Sequence, residues 1–125
     1  MGSSARLAGR RVLVVEDDWF IASYVGDALE AAGAALVGPV ATAGKALRLL
    51  EEGAPDAATL NVTLADGDSL PVARRLVELD VPFVFLSAVA ATVLPPEMRR
   101  RPMLAKPFGG YQVVDAVIGM LEVQA

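Results

Sequence analysis

The chain of 125 residues contains neither cysteine nor histidine. The absence of cysteine excludes disulfide bonds, thiolate metal sites and cysteine nucleophiles. The absence of histidine excludes a Ser-His-Asp triad, histidine-ligated zinc and a phosphohistidine formed within this chain. Function classes that depend on either side chain are therefore excluded.

Basic residues and long apolar runs are also scarce. Eleven Lys and Arg face fifteen Asp and Glu, giving a net charge of −4, which disfavours nonspecific nucleic-acid binding. Arg99-Arg100-Arg101 is accordingly interpreted as a solvated turn. The longest apolar stretches, residues 31–43 and 81–94, are interrupted and too short to span a membrane. With no signal-peptide core near the N-terminus, we expect a cytoplasmic protein with neither nucleic-acid nor membrane partners.

An abrupt change from apolar to acidic residues marks the most informative stretch. Residues 12–15, Val-Leu-Val-Val, predict a strand buried on both faces. Glu16, Asp17 and Asp18 follow directly, and three adjacent carboxylates repel one another. Because open α/β sheets bind ligands at the carboxyl ends of their strands, this stretch predicts a site for a cation, either a lysine or Mg²⁺.

The rest of the chain alternates between strand and helix patterns within one domain, residues 10–123, behind a disordered lead over residues 1–9. Apolar positions at helical spacing predict buried helix faces that include Phe20, Tyr24, Val77 and Tyr111. Such alternation predicts a parallel sheet covered on both sides. The predicted strands span 11–15, 35–40, 57–62, 81–86 and 103–105, and the helices 18–33, 42–53, 69–79 and 110–123, with only short helical turns within 89–101.

Polar residues stand at the ends of four of these strands. Because the carboxyl ends of parallel strands meet at one edge of a sheet, we expect them to form one site. Taken singly, each has an ordinary structural explanation as a cap, a turn residue or a solvated charge. These residues are Glu16, Asp17, Asn61, Thr63, Ser87 and Lys106.

Together these residues resemble the CheY-like receiver domains of bacterial two-component response regulators, over about residues 10 to 122. The resemblance implies a flavodoxin-like, doubly wound, five-stranded parallel sheet in the order 2-1-3-4-5, with about five helices, the fourth short or irregular. The motifs that carry it are Val-Leu-Val-Val-Glu-Asp-Asp (12–18), Pro55-Asp56, Leu64-Ala65-Asp66-Gly67, Leu86-Ser87-Ala88 and Lys106-Pro107-Phe108.

The resemblance also implies roles for the site residues. In this family an aspartate ending the third strand takes a phosphoryl group from a kinase phosphohistidine, so the partner would be a histidine kinase or another signalling protein. The positions that match the Mg²⁺ ligands are Glu16, Asp17, Asn61 and the carbonyl of Thr63. Those that match the phosphoryl-binding and switch residues are Ser87, Lys106 and Met103.

Asn61 departs from this pattern, because it stands at the position of the phosphorylated aspartate. A carboxamide has no anionic oxygen to attack phosphorus. The amide also removes one negative charge from the site. Because two carboxylates about 4 Å apart repel by roughly 4 kcal/mol at an effective dielectric near 20, this loss reduces the repulsion in the empty site and the attraction for a cation. We therefore expect no phosphorylation at Asn61 and weakened Mg²⁺ binding. Met103 departs too, since the family often has an aromatic switch residue there.

The sequence thus predicts a stand-alone receiver-like protein that signals by protein contact and is not an enzyme. One alternative is a phosphorylatable receiver carrying an engineered Asp-to-Asn change at residue 61. A Mg²⁺-dependent phosphatase is disfavoured, since Trp19 occupies the place of its second aspartate. A flavin-binding module is disfavoured by the acids after the first strand. Surplus apolar area on the last helix, near Met120 and Leu121, would favour a homodimer.

Overall fold

The computed structural model of the chain describes residues 6–88 and 91–124. Its helices are α1 (Trp19–Ala31), α2 (Ala43–Glu52), α3 (Leu70–Glu78) and α4 (Gly110–Gln124). Within the described residues, no helix is both long enough and apolar enough to cross a membrane. The strands are β1 (Arg11–Val15), β2 (Ala35–Val40), β3 (Ala57–Asn61), β4 (Thr63–Leu64), β5 (Gly67–Asp68), β6 (Phe83–Ser87) and β7 (Met103–Ala105).

Five of the strands form one parallel sheet in the order β2-β1-β3-β6-β7. This is the order that the family resemblance implied, with β6 and β7 as the fourth and fifth strands of the main sheet. The short strands β4 and β5 form a separate antiparallel pair directly after β3. The sequence pattern indicated only a loop there, because strands of two residues are too short to show a period.

The sheet is covered on both sides, and β1 shows why. Leu13 and Val15 belong to the apolar cluster formed with α2 and α3. Val12 and Val14 belong to the cluster formed with α1 and α4 on the opposite side. Successive side chains of a strand point to opposite faces, so a continuous apolar run suits a strand buried on both.

Side chains fix the beginnings of the first two helices. The Asp18 carboxylate Oδ1 accepts hydrogen bonds from the backbone N–H groups of Phe20 and Ile21, at 2.9 and 3.2 Å. The Thr42 hydroxyl accepts one from the backbone N–H of Lys45 at 3.1 Å. Both residues satisfy donors that have no partner within the helix, and both N-caps confirm the prediction from the sequence.

Between β6 and β7, where the resemblance implied a short or irregular helix, the chain forms two 3₁₀ turns, Ala91–Val93 and Pro96–Met98. Two adjacent prolines exclude a continuous helix here, as the sequence predicted. The Arg99 guanidinium stabilises the segment by donating hydrogen bonds to the carbonyl oxygens of Leu94 and Thr92, at 2.9 and 3.3 Å. The first part of the predicted irregular segment, residues 89 and 90, lies outside the described residues.

Residues 6–9 belong to the segment expected to be a disordered lead, and the structure describes them. These residues form a turn, and Leu7 is buried in the cluster below α1 and α4. Its backbone N–H donates a hydrogen bond of 2.7 Å to the carbonyl oxygen of Ala32. A single leucine in a polar stretch gives no periodicity, so the sequence could not indicate this packing. Residues 1–5 lie outside the described part.

Four apolar side chains assigned to buried helix faces are exposed instead: Phe20 and Tyr24 of α1, Val77 of α3 and Tyr111 of α4. In each helix the buried stripe is narrower than the apolar pattern. Tyr111, for example, precedes the buried Val113 by two positions, which places it on the opposite side of the helix.

Candidate functional site

The site lies at the carboxyl edge of the sheet, where β1, β3, β6 and β7 end. The strand pairing aligns these ends, so the residues that follow each strand converge although they are far apart in the chain. The aligned pairs are Val15 with Leu60, Asn61 with Leu86, and Ser87 with Ala105.

Five of the predicted site residues form one hydrogen-bonded cluster. The Lys106 ammonium Nζ donates to the Glu16 carboxylate Oε1 at 3.0 Å and to the Asn61 carbonyl Oδ1 at 3.3 Å. The Asn61 amide Nδ2 donates to the Asp17 carboxylate Oδ1 at 3.2 Å and to the backbone oxygen of Thr63 at 2.6 Å. Asn61 therefore lies at the centre, between a cation on one side and two acceptors on the other.

Each of the three consecutive acids has a different partner. Glu16 pairs with Lys106, Asp17 accepts from Asn61, and Asp18 caps the N-terminus of α1. The repulsion that the sequence implied is thus offset by a lysine, an amide and the partial positive charge of a helix N-terminus. The cation expected beside the acids is present as the ammonium group of Lys106.

Glu16 is the buried member of the cluster, with only 4% of its surface exposed. Its second oxygen, Oε2, accepts a hydrogen bond from the backbone N–H of Asp18 at 3.1 Å. Burial raises the pKa of Glu16, while the Asp18 N–H and the Lys106 ammonium oppose the rise by favouring the ionised form. Both carboxylate oxygens are therefore occupied by protein donors.

The two other predicted site residues, Ser87 and Met103, belong to strands β6 and β7. Ser87 is buried at the end of β6, and its carbonyl oxygen accepts a hydrogen bond of 2.8 Å from the backbone N–H of Lys106. This contact fixes the start of the segment that carries the lysine. Met103 pairs with Phe85 in the sheet and packs against the apolar cluster of α2 and α3. Its side chain is partly buried there.

An apolar cavity of about 420 Å³ adjoins the cluster, and the sequence did not reveal it. Helical spacing cannot distinguish an exposed aromatic residue from a buried one, which is why it was missed. Phe20, at the start of α1, lines the cavity and is 74% exposed, and Trp19, which precedes it in the helix, is 78% exposed. Below them, the Tyr24 hydroxyl accepts a hydrogen bond of 2.9 Å from the backbone N–H of Gly110. The lining residues are Phe20, Ile21, Tyr24, Lys106, Pro107 and Phe108.

The open α/β sheet and the acid, amide and lysine cluster at its carboxyl edge together define a receiver-like protein. No protein-family model and no curated protein matched the sequence. Among solved structures, SdrG from Sphingomonas melonis Fr1 is 38% identical with a TM-score of 0.78, over 90% of this chain and 96% of that one. The response regulator PhyR from Brucella abortus is 27% identical with a TM-score of 0.82, over 98% of this chain and 51% of that one.

A third structure is the receiver domain of the sensor histidine kinase PA1611 from Pseudomonas aeruginosa PAO1, described with a magnesium ion coordinated in its active-site cleft. It is 23% identical with a TM-score of 0.74, over 92% of this chain and 99% of that one, and at this identity the likeness shows the fold alone. The SdrG structure, at 38% identity over 90% of this chain, shows the family as well as the fold. The chain belongs to the receiver domains of two-component response regulators, which are signalling proteins.

Proposed function

We propose that this protein is a receiver-like signalling module that acts by protein contact and is not phosphorylated at residue 61. The observation that carries the proposal is the position of Asn61 at the centre of the cluster, between Lys106 and Asp17. In this family an aspartate there supplies the attacking oxygen. The amide supplies none, because its oxygen is uncharged and already accepts from Lys106.

Nearby carboxylates do not replace the missing acceptor. Asp56 precedes β3, at the opposite end of that strand, and accepts a hydrogen bond of 2.8 Å from the backbone N–H of Arg11. Asp66 lies in the loop after β3 and binds the backbone N–H groups of Ala43 and Gly44 at the start of α2. Both acids therefore serve structural roles away from Lys106.

The exposed aromatic surface at the start of α1 supports signalling by contact. Phe20 and Tyr24 are exposed aromatic residues that line the cavity, and contiguous apolar surface of this kind marks interaction sites on soluble proteins. Because Lys106 and Phe108 line the same cavity, a protein bound there would contact the edge of the cluster. A histidine kinase or another signalling protein is the partner that the family suggests.

A homodimer through α4 has less support. Met120 and Leu121, the residues that suggested it, pack against the apolar cluster of their own domain. The exposed aromatic residues of α1 offer more free apolar surface. Sedimentation at high protein concentration would detect self-association, and a dimer lost on replacing Met120 with Glu, but retained in Phe20→Ser, would favour the α4 surface.

Restoring the acceptor tests the proposed function. The Asn61→Asp protein, incubated with Mg²⁺ and a small phosphodonor, should gain the mass of one phosphoryl group, because Lys106 and Asp17 remain beside the new carboxylate. The double variant Asn61→Asp, Lys106→Met is the control and should gain less. Refusal of phosphate by the folded Asn61→Asp protein would show that the cluster is not a receiver site lacking only its acceptor.

A further inference from the structure

Resting on the proposed function, we infer that the Asn61 NH₂ group occupies the place of the metal ion and makes this site independent of Mg²⁺. The weaker alternative is that Asn61 is a poor ligand that still helps to hold Mg²⁺ through its carbonyl oxygen. The two readings give opposite predictions for the removal of the side chain.

The contacts of Nδ2 carry the inference. It lies 3.2 Å from Asp17 Oδ1 and 2.6 Å from the backbone oxygen of Thr63. These two oxygens belong to the set that the family resemblance assigned to Mg²⁺. Both receive a hydrogen bond from the same amide, whose two N–H groups each carry partial positive charge. Each of these two oxygens therefore already accepts a hydrogen bond from Asn61, which an ion in that place would have to displace.

The orientation of the amide is fixed by its surroundings. If the amide were reversed, its NH₂ group would face the Lys106 ammonium, placing donor against donor. Its oxygen would then face Asp17 Oδ1 and the Thr63 oxygen, placing acceptor against two acceptors. Three favourable contacts would become unfavourable, so the carbonyl oxygen cannot turn toward a cation while Lys106 keeps its position.

The remaining ligand in the set is also occupied. Glu16 uses Oε1 for Lys106 and Oε2 for the Asp18 N–H. In the described residues, no group of three or more Asp, Glu, His or Cys side chains is arranged to hold a metal ion. Mg²⁺ takes oxygen ligands at about 2.0–2.1 Å in octahedral geometry, usually keeping several waters beside one or two protein carboxylates. The residues as arranged do not fit Mg²⁺, because the ion would have to displace the amide.

Titration of Mg²⁺ into four proteins tests the inference. The proteins are wild type, Asn61→Asp, Asn61→Ala and Gln112→Glu, followed by calorimetry and by the fluorescence of Trp19, the single tryptophan of the chain, two residues after Asp17. Gln112→Glu adds the same charge as Asn61→Asp but outside the cluster, where the Gln112 side chain accepts from the Gly109 N–H. The midpoint of chemical unfolding with and without Mg²⁺ gives a second readout.

We expect no saturable binding to wild type or Gln112→Glu at millimolar Mg²⁺. Asn61→Asp should bind at least about tenfold more tightly than wild type, because a charged oxygen replaces the NH₂ group. Asn61→Ala should also bind more tightly than wild type, since removing the amide frees Asp17 and the Thr63 oxygen for the ion. Its unfolding midpoint should rise with Mg²⁺ while that of wild type stays unchanged.

Weaker binding to Asn61→Ala than to wild type would show that Asn61 is a ligand and would overturn the inference. Mg²⁺ binding to wild type as tight as that to Asn61→Asp would also overturn the inference. This second comparison is sufficient by itself if the Asn61→Ala protein does not fold. Neither result bears on the proposed function. That function is contradicted only if residue 61 of the wild-type protein carries phosphate, or if the folded Asn61→Asp protein is not phosphorylated by the phosphodonor. The two failures are therefore distinguishable.

Discussion

Lys106 connects the buried and exposed parts of the cluster, since its ammonium group contacts both Glu16 and Asn61. The sequence predicted that these side chains would meet, because each follows a strand whose end lies at the same edge of the sheet. It could not predict which way the Asn61 amide points. That orientation depends on hydrogen bonds that include Asp17 and Lys106, which are 44 and 45 positions away from Asn61.

Replacing Lys106 with methionine, which has similar length and no charge, should destabilise the protein. Glu16 would remain as a buried carboxylate without its ion-pair partner, and breaking a buried pair in this way costs about 3 kcal/mol. Chemical unfolding at neutral pH measures the change. The control is Lys45→Met, since Lys45 is exposed and its variant should change stability little. Equal effects for the two lysines would contradict the assigned role of Lys106.

Replacing Thr59 should raise the stability of the protein, whereas replacing Lys106 should lower it. The Thr59 hydroxyl is buried within β3 and has no hydrogen-bond partner among the described residues. Thr59→Val keeps the shape and removes the unsatisfied oxygen, so it should raise the free energy of unfolding by about 1 kcal/mol. Thr42→Val, which removes the N-cap of α2, should lower it by about 1 kcal/mol. A loss of stability in Thr59→Val would show that the hydroxyl has a partner.

Among the elements, the strands were predicted more accurately than the helix faces. An apolar run such as that of β1 ends at a sharp change in polarity, so its bounds are visible in the sequence. The apolar patterns of α1 and α4 were wider than their buried stripes, because Phe20 and Tyr111 are exposed aromatics at helical spacing. An exposed apolar residue and a buried one look the same in a single sequence.

The beginning of α2 gives a pH-dependent prediction. Hydrogen bonds from the Ala43 and Gly44 N–H groups hold the pKa of Asp66 below its ordinary value of 3.8. A lowered pKa means that the ionised carboxylate stabilises the fold above pH 3.8, and that this contribution is lost as the pH falls through the lower, folded value.

Unfolding measured from pH 7 down to strongly acidic pH tests this link. Asp66→Asn should be less stable than wild type at neutral pH, and the difference should shrink as the solution is acidified. Asp27→Asn, an exposed change in the middle of α1, is the control for the loss of one carboxylate and should leave the stability at neutral pH close to that of wild type. A difference between Asp66→Asn and wild type that persists in acid would contradict the assigned cause.

At the level of the whole molecule, the strand order brings residues that are distant in the chain together in one site. Glu16 and Lys106 are separated by 90 positions, yet the order β2-β1-β3-β6-β7 brings them within 3.0 Å. The alternation of strands and helices predicted a parallel sheet with crossovers of one hand, and the family resemblance implied this strand order. The β4 and β5 pair, the packing of Leu7 and the cavity beside α1 were not predictable, because none of them leaves a periodic pattern.

The central claim is that the receiver fold of this protein holds an amide where its relatives need an acid, and its most direct test is the mass of the unmodified protein. Wild type is incubated with Mg²⁺ and a small phosphodonor, weighed intact, and digested to locate any added group. We expect no phosphoryl group on the peptide that contains Asn61. A phosphoryl group on residue 61 itself would contradict the account.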